Sequence, residues 1–207
     1  MKIQRLPLGK LQTNCYLLFK ENRVLIIDPA DDAVFISDII LREKAKPTAI
    51  LLTHGHFDHL LAAGELQKNF DIPAFCHKND EFLVKRAKET AEYFLNHPLT
   101  IIPAKYSFFQ DKLKIDGFYF KTIHTPGHTP GGCCFYFEKE DLLFSGDTLF
   151  KSGIGRCDFS YSDKNLLKKS LQKLNLLPED TTVYPGHGEK TSIRDEFPYV
   201  FDSFFKD

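Results

Sequence analysis

Apolar residues along the chain recur at two spacings. Cys15 to Phe19 and Val24 to Ile27 are short apolar runs on either side of Glu21-Asn22, and predict two strands around a turn. Ile36, Ile39 and Ile40 repeat at the i, i+3, i+4 spacing of one helical face. Ala49 to Leu52 is an unbroken run, as expected of a strand covered on both faces. Ala62, Ala63, Leu66 and Phe70 predict a second helix, and Leu83, Ala87, Ala91 and Phe94 a third. Phe118 to Ile123, Cys133 to Phe137 and Leu142 to Phe144 predict strands. Leu167, Leu171 and Leu174 predict a late helix, and Thr182 to Tyr184 a last short strand. Strands and helices are interspersed, which gives a mixed α/β class. No stretch rich in Pro, Gly or Ser divides the chain, so residues 1–207 are expected to form a single domain.

Composition narrows the function classes. The chain carries 27 Lys+Arg against 28 Asp+Glu, a formal net charge of −1. It lacks the basic excess of a dedicated nucleic-acid or membrane-surface binder. Neither kind of partner is expected; the expected partner is a small molecule. The segment Met1 to Pro7 lacks the apolar core of a secretory signal, and no apolar run is long enough to span a bilayer. A cytoplasmic location is therefore expected, with Cys15, Cys76, Cys133, Cys134 and Cys157 as reduced thiols. Cys133 and Cys134, adjacent on a strand, point to opposite faces. No C-x-x-C pair exists, which excludes a cysteine zinc ribbon.

Four apolar runs end in a loop where Gly stands beside His or Asp. They lead into Thr53-His54-Gly55-His56-Phe57-Asp58-His59, Thr125-Pro126-Gly127-His128, Ser145-Gly146-Asp147 and Pro185-Gly186-His187-Gly188. In layered α/β proteins, loops at one sheet edge converge on a common cleft. His54 and His56, two apart in an extended loop, face the same way and suit one metal. Asp58 and His59 follow as the chain turns, and suit a second. Imidazole and carboxylate donors fit zinc, iron or manganese. His77, His97 and His124 lack such company and are expected to be structural, His124 shaping the loop before His128. A weak internal echo accompanies these loops. Val24 to Asp28 resembles Leu142 to Asp147, and Thr53 to His56 resembles Pro185 to Gly188.

The runs T-H-G-H-F-D-H-L, T-P-G-H-T-P-G-G, F-S-G-D-T-L-F and Y-P-G-H-G resemble the metallo-β-lactamase superfamily, and more closely its glyoxalase II-like branch. Thr13-Asn14-Cys15-Tyr16-Leu17 and Ile27-Asp28-Pro29 match that branch as well. The resemblance implies a four-layer αββα sandwich with two divalent metals, zinc foremost, at one edge. It implies that His54, His56 and His128 hold the first metal, that Asp58, His59 and His187 hold the second, and that Asp147 bridges them. Two-zinc β-lactamases commonly carry Cys at the bridging position. Asp147 and the absence of an export signal make antibiotic hydrolysis an unexpected main role.

Such a site acidifies a bridging water to a pKa near ~7. The resulting hydroxide, oriented by Asp58, can attack an acyl carbon. A thioester suits it, because a thiol of pKa near ~8.5 leaves without a general acid. The expected activity is therefore hydrolysis of hydroxyacylglutathione-like or other small thioesters. Arg156, after Gly153-Ile154-Gly155, is a candidate for holding a substrate carboxylate, or else for bracing its loop through Asp158. Cys157 is expected to pack. Classical glyoxalase II adds a C-terminal helical domain with glutathione contacts, whereas only 20 residues follow His187 here. Phe82, Tyr93, Phe94, Tyr106, Phe108 and Phe109 are expected to pack on the core rather than cover the cleft. The competing reading is a persulfide dioxygenase-like mono-iron oxidoreductase, which needs only three protein ligands. A nuclease and a non-catalytic metal binder fit less well.

Overall fold

A computed structural model describes residues 1–109 and 113–200. The last residues of the C-terminal stretch, 201–207, lie outside that range. Two sheets pack face to face, each covered by helices on its outer side. The first sheet runs in sequence order: β1 (Lys2–Leu8), β2 (Thr13–Lys20), β3 (Arg23–Ile27), β4 (Lys46–Leu51), β5 (Ala74–Cys76) and β6 (Tyr106–Phe108). β1, β2 and β3 are antiparallel, and β3 to β6 are parallel. Between these strands come α1 (Ala33–Arg42), α2 (Ala63–Phe70), α3 (Glu81–Lys85) and α4 (Ala87–Leu95).

The second sheet uses β7 (Lys121–His124), β8 (Cys133–Phe137), β9 (Leu142–Gly146), β12 (Thr182–Pro185) and β13 (Thr191–Ser192), in the order β13-β12-β9-β8-β7. β10 (Leu149–Phe150) and β11 (Gly153–Ile154) form a separate small hairpin. α5 (Lys164–Leu174) and α6 (Ile193–Val200) complete the order. Among the described residues no helix is long and apolar enough to cross a membrane.

Strand alternation builds three apolar layers. Leu17, Val24, Ile26, Ile50 and Leu52 face outward onto α1, α2 and α4. Their neighbours Tyr16, Leu18, Leu25, Ile27, Ala49 and Leu51 face inward, against Phe135, Phe137 and Phe144 of the other sheet. Cys134, Tyr136 and Leu143 then face Leu167, Leu171, Leu174, Ile193 and Phe197. The expected four-layer αββα sandwich is the observed architecture. At one edge polar bonds join the sheets. Asn14 N donates to Gly186 O at 2.7 Å, and Cys133 N to Thr53 O at 2.8 Å. Tyr16 Oη and Asn14 Nδ2 both donate to Pro185 O, at 2.6 and 3.0 Å.

Two predicted elements differ. The helix expected from Leu83 to Phe94 is two helices, broken at Arg86 (φ −98, ψ 6). The break leaves Leu83 against Gly55 while Ala87 and Ala91 turn into the outer layer. The strand expected from Phe118 to Ile123 begins only at Lys121. Gly117, at φ +81, turns the chain so that Phe118 and Phe120 drop into the middle layer without pairing as a strand. Apolar content there signals burial rather than conformation.

Candidate metal centre

The internal echo has a spatial counterpart. β3 and β4 are parallel neighbours that lead into Asp28 and His54; β9 and β12 are parallel neighbours that lead into Asp147 and His187. The 53–59 loop follows β4 and closes in a short 3-10 turn, Phe57–His59. His128 sits on the β7–β8 loop. Two glycines are demanded by space. A Cβ on Gly55 would lie 2.9 Å from Asp80 O, and a Cβ on Gly146, at φ +49, would run into Thr53.

The seven candidate residues from four loops meet. His56 Nδ1 lies 3.0 Å from both His54 Nε2 and His128 Nε2. Asp58 Oδ2 lies 3.3 Å from His187 Nε2 and 3.5 Å from His59 Nε2. Asp147 stands between the two groups. Its Oδ1 is 3.5 Å from His59 Nε2, and its Oδ2 is 3.5 Å from His128 Nε2 and 3.7 Å from His187 Nε2. Tetrahedral zinc with bonds of 2.0–2.1 Å places its ligand atoms about 3.3 Å apart. The observed spacings fit that geometry.

The outer nitrogens decide the tautomers. His59 Nδ1 donates to Asp28 Oδ2 at 3.0 Å, His128 Nδ1 to Arg156 O at 2.7 Å, and His187 Nδ1 to Leu11 O at 3.1 Å. Thr53 Oγ1 donates to Asp28 Oδ2 at 2.6 Å, so it is free to accept from His54 Nδ1 at 3.1 Å. His56 Nε2 meets Tyr161 Oη at 2.9 Å. In each ring the outer nitrogen has a partner, so the inner one can present a lone pair. Two buried atoms, His59 Nε2 and Asp147 Oδ1, have no hydrogen-bond partner among the described residues and face each other. Buried polar atoms are rarely left so, and a cation between them supplies what is missing.

Charge separates the two groups. Burial and then the neighbouring imidazoles push His54 well below its ordinary value, and take His56 down to about 3. These are neutral donors. Burial pushes His59 down too, but Asp58, Asp28 and Asp147 outweigh it and carry the ring up to about 10. His187 is raised against burial by Asp58 and Asp147. Burial pushes the Asp58 carboxyl up, yet His59, His187 and Thr13 hold it well below the usual carboxylate range. The carboxylate half thus demands positive charge, which protons or cations can meet, so cation uptake would release protons.

Four supporting residues had no role assigned from sequence. Asp28 is buried and accepts from Thr53 N at 2.7 Å, besides Thr53 Oγ1 and His59. Thr13 Oγ1 donates to Asp58 Oδ2 at 2.6 Å. Tyr161 backs His56. Asp80 is buried and accepts from Gly55 N at 2.9 Å, Thr129 Oγ1 at 2.7 Å and Gly131 N at 2.6 Å, tying the 53–59 loop to the His128 loop. Asp80→Ala should cost about 3 kcal/mol of stability through the unsatisfied donors it leaves. It should also weaken metal at His54, His56 and His128 roughly 10- to 100-fold. Denaturant titration and metal titration check the two effects separately.

The other sequence candidates fall as follows. Arg156 pairs with Asp158 through two bonds, of 2.6 and 2.7 Å, at the exposed rim, and its guanidinium lies 4.4 Å from the Phe159 ring centroid. His77 and His124 stack on each other at 4.2 Å, and His124 Nε2 donates to Pro130 O at 3.0 Å, which shapes the loop as expected. The core expectation holds for Tyr106, Phe108 and Phe109. It fails for Phe82, Tyr93 and Phe94, which are exposed. Phe82 instead sits edge-on to Tyr161 beside His56, and Phe94 stacks on Phe57. Phe82 lies on α3, which buries no residue, and Tyr93 and Phe94 on α4, which buries only Ala87 and Ala91, so an aromatic side chain there does not mark the core.

A four-layer αββα sandwich with clustered His and Asp donors at one edge defines a metallo-hydrolase class. The chain belongs to the metallo-beta-lactamase superfamily, which it matches over residues 8–187. It is 37% identical to the probable metallo-hydrolase YqgX of Bacillus subtilis, over 97% of this chain and 98% of that one. It is also 37% identical to the hydroxyacylglutathione hydrolase GloC of Haemophilus influenzae, over 95% of each chain. Among solved structures, the BLEG-1 B3 metallo-beta-lactamase superposes with a TM-score of 0.87 at 37% identity, covering 98% of both chains. The di-iron-bound form of TTHA1623 superposes with a TM-score of 0.86 at 34% identity, covering 93% of this chain and 96% of that one.

Proposed function

We propose that this metallo-hydrolase is a two-metal thioester hydrolase acting on hydroxyacylglutathione-like or other small thioesters. The observation that carries the reading is the seven-donor set, in which two groups of three share Asp147 and leave neither position short of ligands. In this reading His54, His56 and His128 hold one cation, Asp58, His59 and His187 the other, and Asp147 bridges. Zinc is the proposed metal, although the donors also suit iron and manganese, and one solved relative is a di-iron form. Two divalent cations so held supply an acidified water as nucleophile and a Lewis acid for the acyl oxygen.

The chain's residues do the positioning. Asp58, with Oδ2 fixed by Thr13, orients the water by accepting its hydrogen bond. The water gives one proton to solvent, its oxygen bonds to the acyl carbon, the C–S bond breaks, and the thiolate leaves with the electron pair. A thiolate is a weak enough base to leave unaided. GloC, the hydroxyacylglutathione hydrolase relative, supports this substrate class. A reducing, cytosolic location belongs to the same reading, and five free thiols support it.

Protein purified without chelator should contain two metals per chain and hydrolyse small thioesters without taking up oxygen. A reproducible single iron, with oxygen uptake on glutathione persulfide and no thioesterase activity, would move the assignment to the dioxygenase. Activity confined to a β-lactam run beside them would move it to the lactamases.

Arg156→Ala should raise KM for an anionic glutathione thioester several-fold with metal content unchanged. A contact remote from the reacting carbon holds ground and transition states alike, so kcat should change less. A neutral thioester should be spared. Equal loss on both substrates with reduced thermal stability would instead make Arg156 a brace for Asp158.

A further inference from the structure

A cavity of about 170 Å³ lies between the β1–β2 hairpin tip and the segment after α4. Its lining is mostly apolar, from Leu8, Leu11, Phe57, Leu61, Leu95 and Leu99, with Lys10, Asp31 and His97 as its charged and polar members. Thr13 and Asp58 also line it, so the cavity borders the Asp58 side of the candidate metal centre. Two residues belong to both places. Leu11 contributes a wall while its carbonyl receives His187 Nδ1 at 3.1 Å. Phe57 contributes another and is followed directly by Asp58. The Phe57 ring is held by Phe94, stacked with centroids 5.8 Å apart.

We infer that this cavity is an acyl-group pocket, and that it selects thioesters with an apolar acyl chain of about six carbons. The inference rests on the thioester reading and adds a substrate class to it. Size and polarity assign the occupant. The volume is close to the roughly 150 Å³ that holds a benzene-sized group, in a pocket that is partly open to solvent. Glutathione, a tripeptide with two carboxylates and an ammonium group, is too large for this volume, and the apolar majority of the lining suits a hydrocarbon chain, so the acyl side enters. A three-carbon hydroxyacyl group would underfill the pocket and place a hydroxyl against leucines, at a desolvation cost. A hexanoyl or benzoyl group fills it and buries only carbon.

The test is binding of straight-chain carboxylates, acetate to decanoate, to the metal-loaded protein by calorimetry. Affinity should rise about fourfold per methylene up to about six carbons, and then level or fall. Leu99→Trp and Leu61→Trp fill the pocket from opposite walls, and each should abolish the chain-length dependence. Retained metal content shows that a variant has folded, and two walls guard against one failing to fold. A flat carboxylate series, or variants that keep the dependence, overturns the pocket. Thioesters of the same acyl series separate the two readings. Hydrolysis with no chain preference overturns the pocket and leaves the hydrolase standing. Chain-dependent carboxylate binding with no hydrolysis of any thioester supports the pocket and overturns the hydrolase.

Discussion

Asp147→Ala is expected to lower thioester hydrolysis by about 10³-fold or more and to strip metal from both positions. The Asp147 carboxylate reaches His59 at 3.5 Å with one oxygen, and His128 and His187 at 3.5 and 3.7 Å with the other. Between two cations, as the proposed function places it, it would offset their mutual repulsion as well as bind each. Its removal therefore weakens both sites at once, unlike the loss of any single histidine. Metal analysis and steady-state rates on one preparation check this. Asp147→Asn separates charge from shape, because the amide fits the space but leaves the cations uncompensated. A variant with normal metal content and rate would show that Asp147 is not the bridge.

Asp28→Ala should produce the second largest loss. Asp28 touches no proposed cation, yet it accepts from Thr53 N, Thr53 Oγ1 and His59 Nδ1 while only 1% exposed. Without it the His59 ring loses its fixed tautomer, and Thr53 loses the acceptor that leaves its hydroxyl oxygen free for His54. Metal affinity at the Asp58, His59 and His187 position should fall roughly 10- to 100-fold. Stability should fall by about 3–5 kcal/mol as buried donors lose their partner. Titration should show the Asp58, His59 and His187 position loosened more than the His54, His56 and His128 position. Two metals bound as tightly as before would remove Asp28 from any positioning role.

The contrast between Asp147 and Asp28 shows what the sequence made legible. Asp147 lies just past an apolar run and beside a glycine, the same local signature as His54, His128 and His187. A ligand that needs a sharp turn at a strand end leaves that mark in the chain. Asp28 follows an apolar run too, but its partner is 31 residues away and its role depends on which ring the fold brings to it. Asp80 and Tyr161 lie in polar or aromatic surroundings that any loop can have. Their function exists only once the 53–59 loop, the His128 loop and residues 159–161 are packed together. The layers were legible for a related reason. β2, β3, β4 and β8 are covered on both faces and read as continuous apolar runs. β1 is an edge strand with a single buried residue, so it has no periodicity to read. β10, β11 and β13 are two residues long and also lie below any periodicity.

The two sheets touch through Tyr16, Leu25, Phe135 and Phe144, contacts that attract without direction. Packing of this kind resists large displacements, while a slide of one sheet on the other by a fraction of a residue breaks no polar bond within the layer itself. Four of the seven candidate donors hang from the first sheet and three from the second, so that slide would misplace them relative to one another. What prevents it is the handful of directional bonds at one edge, from Asn14, Tyr16 and Cys133 to Gly186, Pro185 and Thr53. Alignment of the catalytic halves is therefore set by the seam rather than by the oily bulk between the sheets. The packed layer holds the sheets together, whereas each seam residue fixes a vernier position for the donors at the edge.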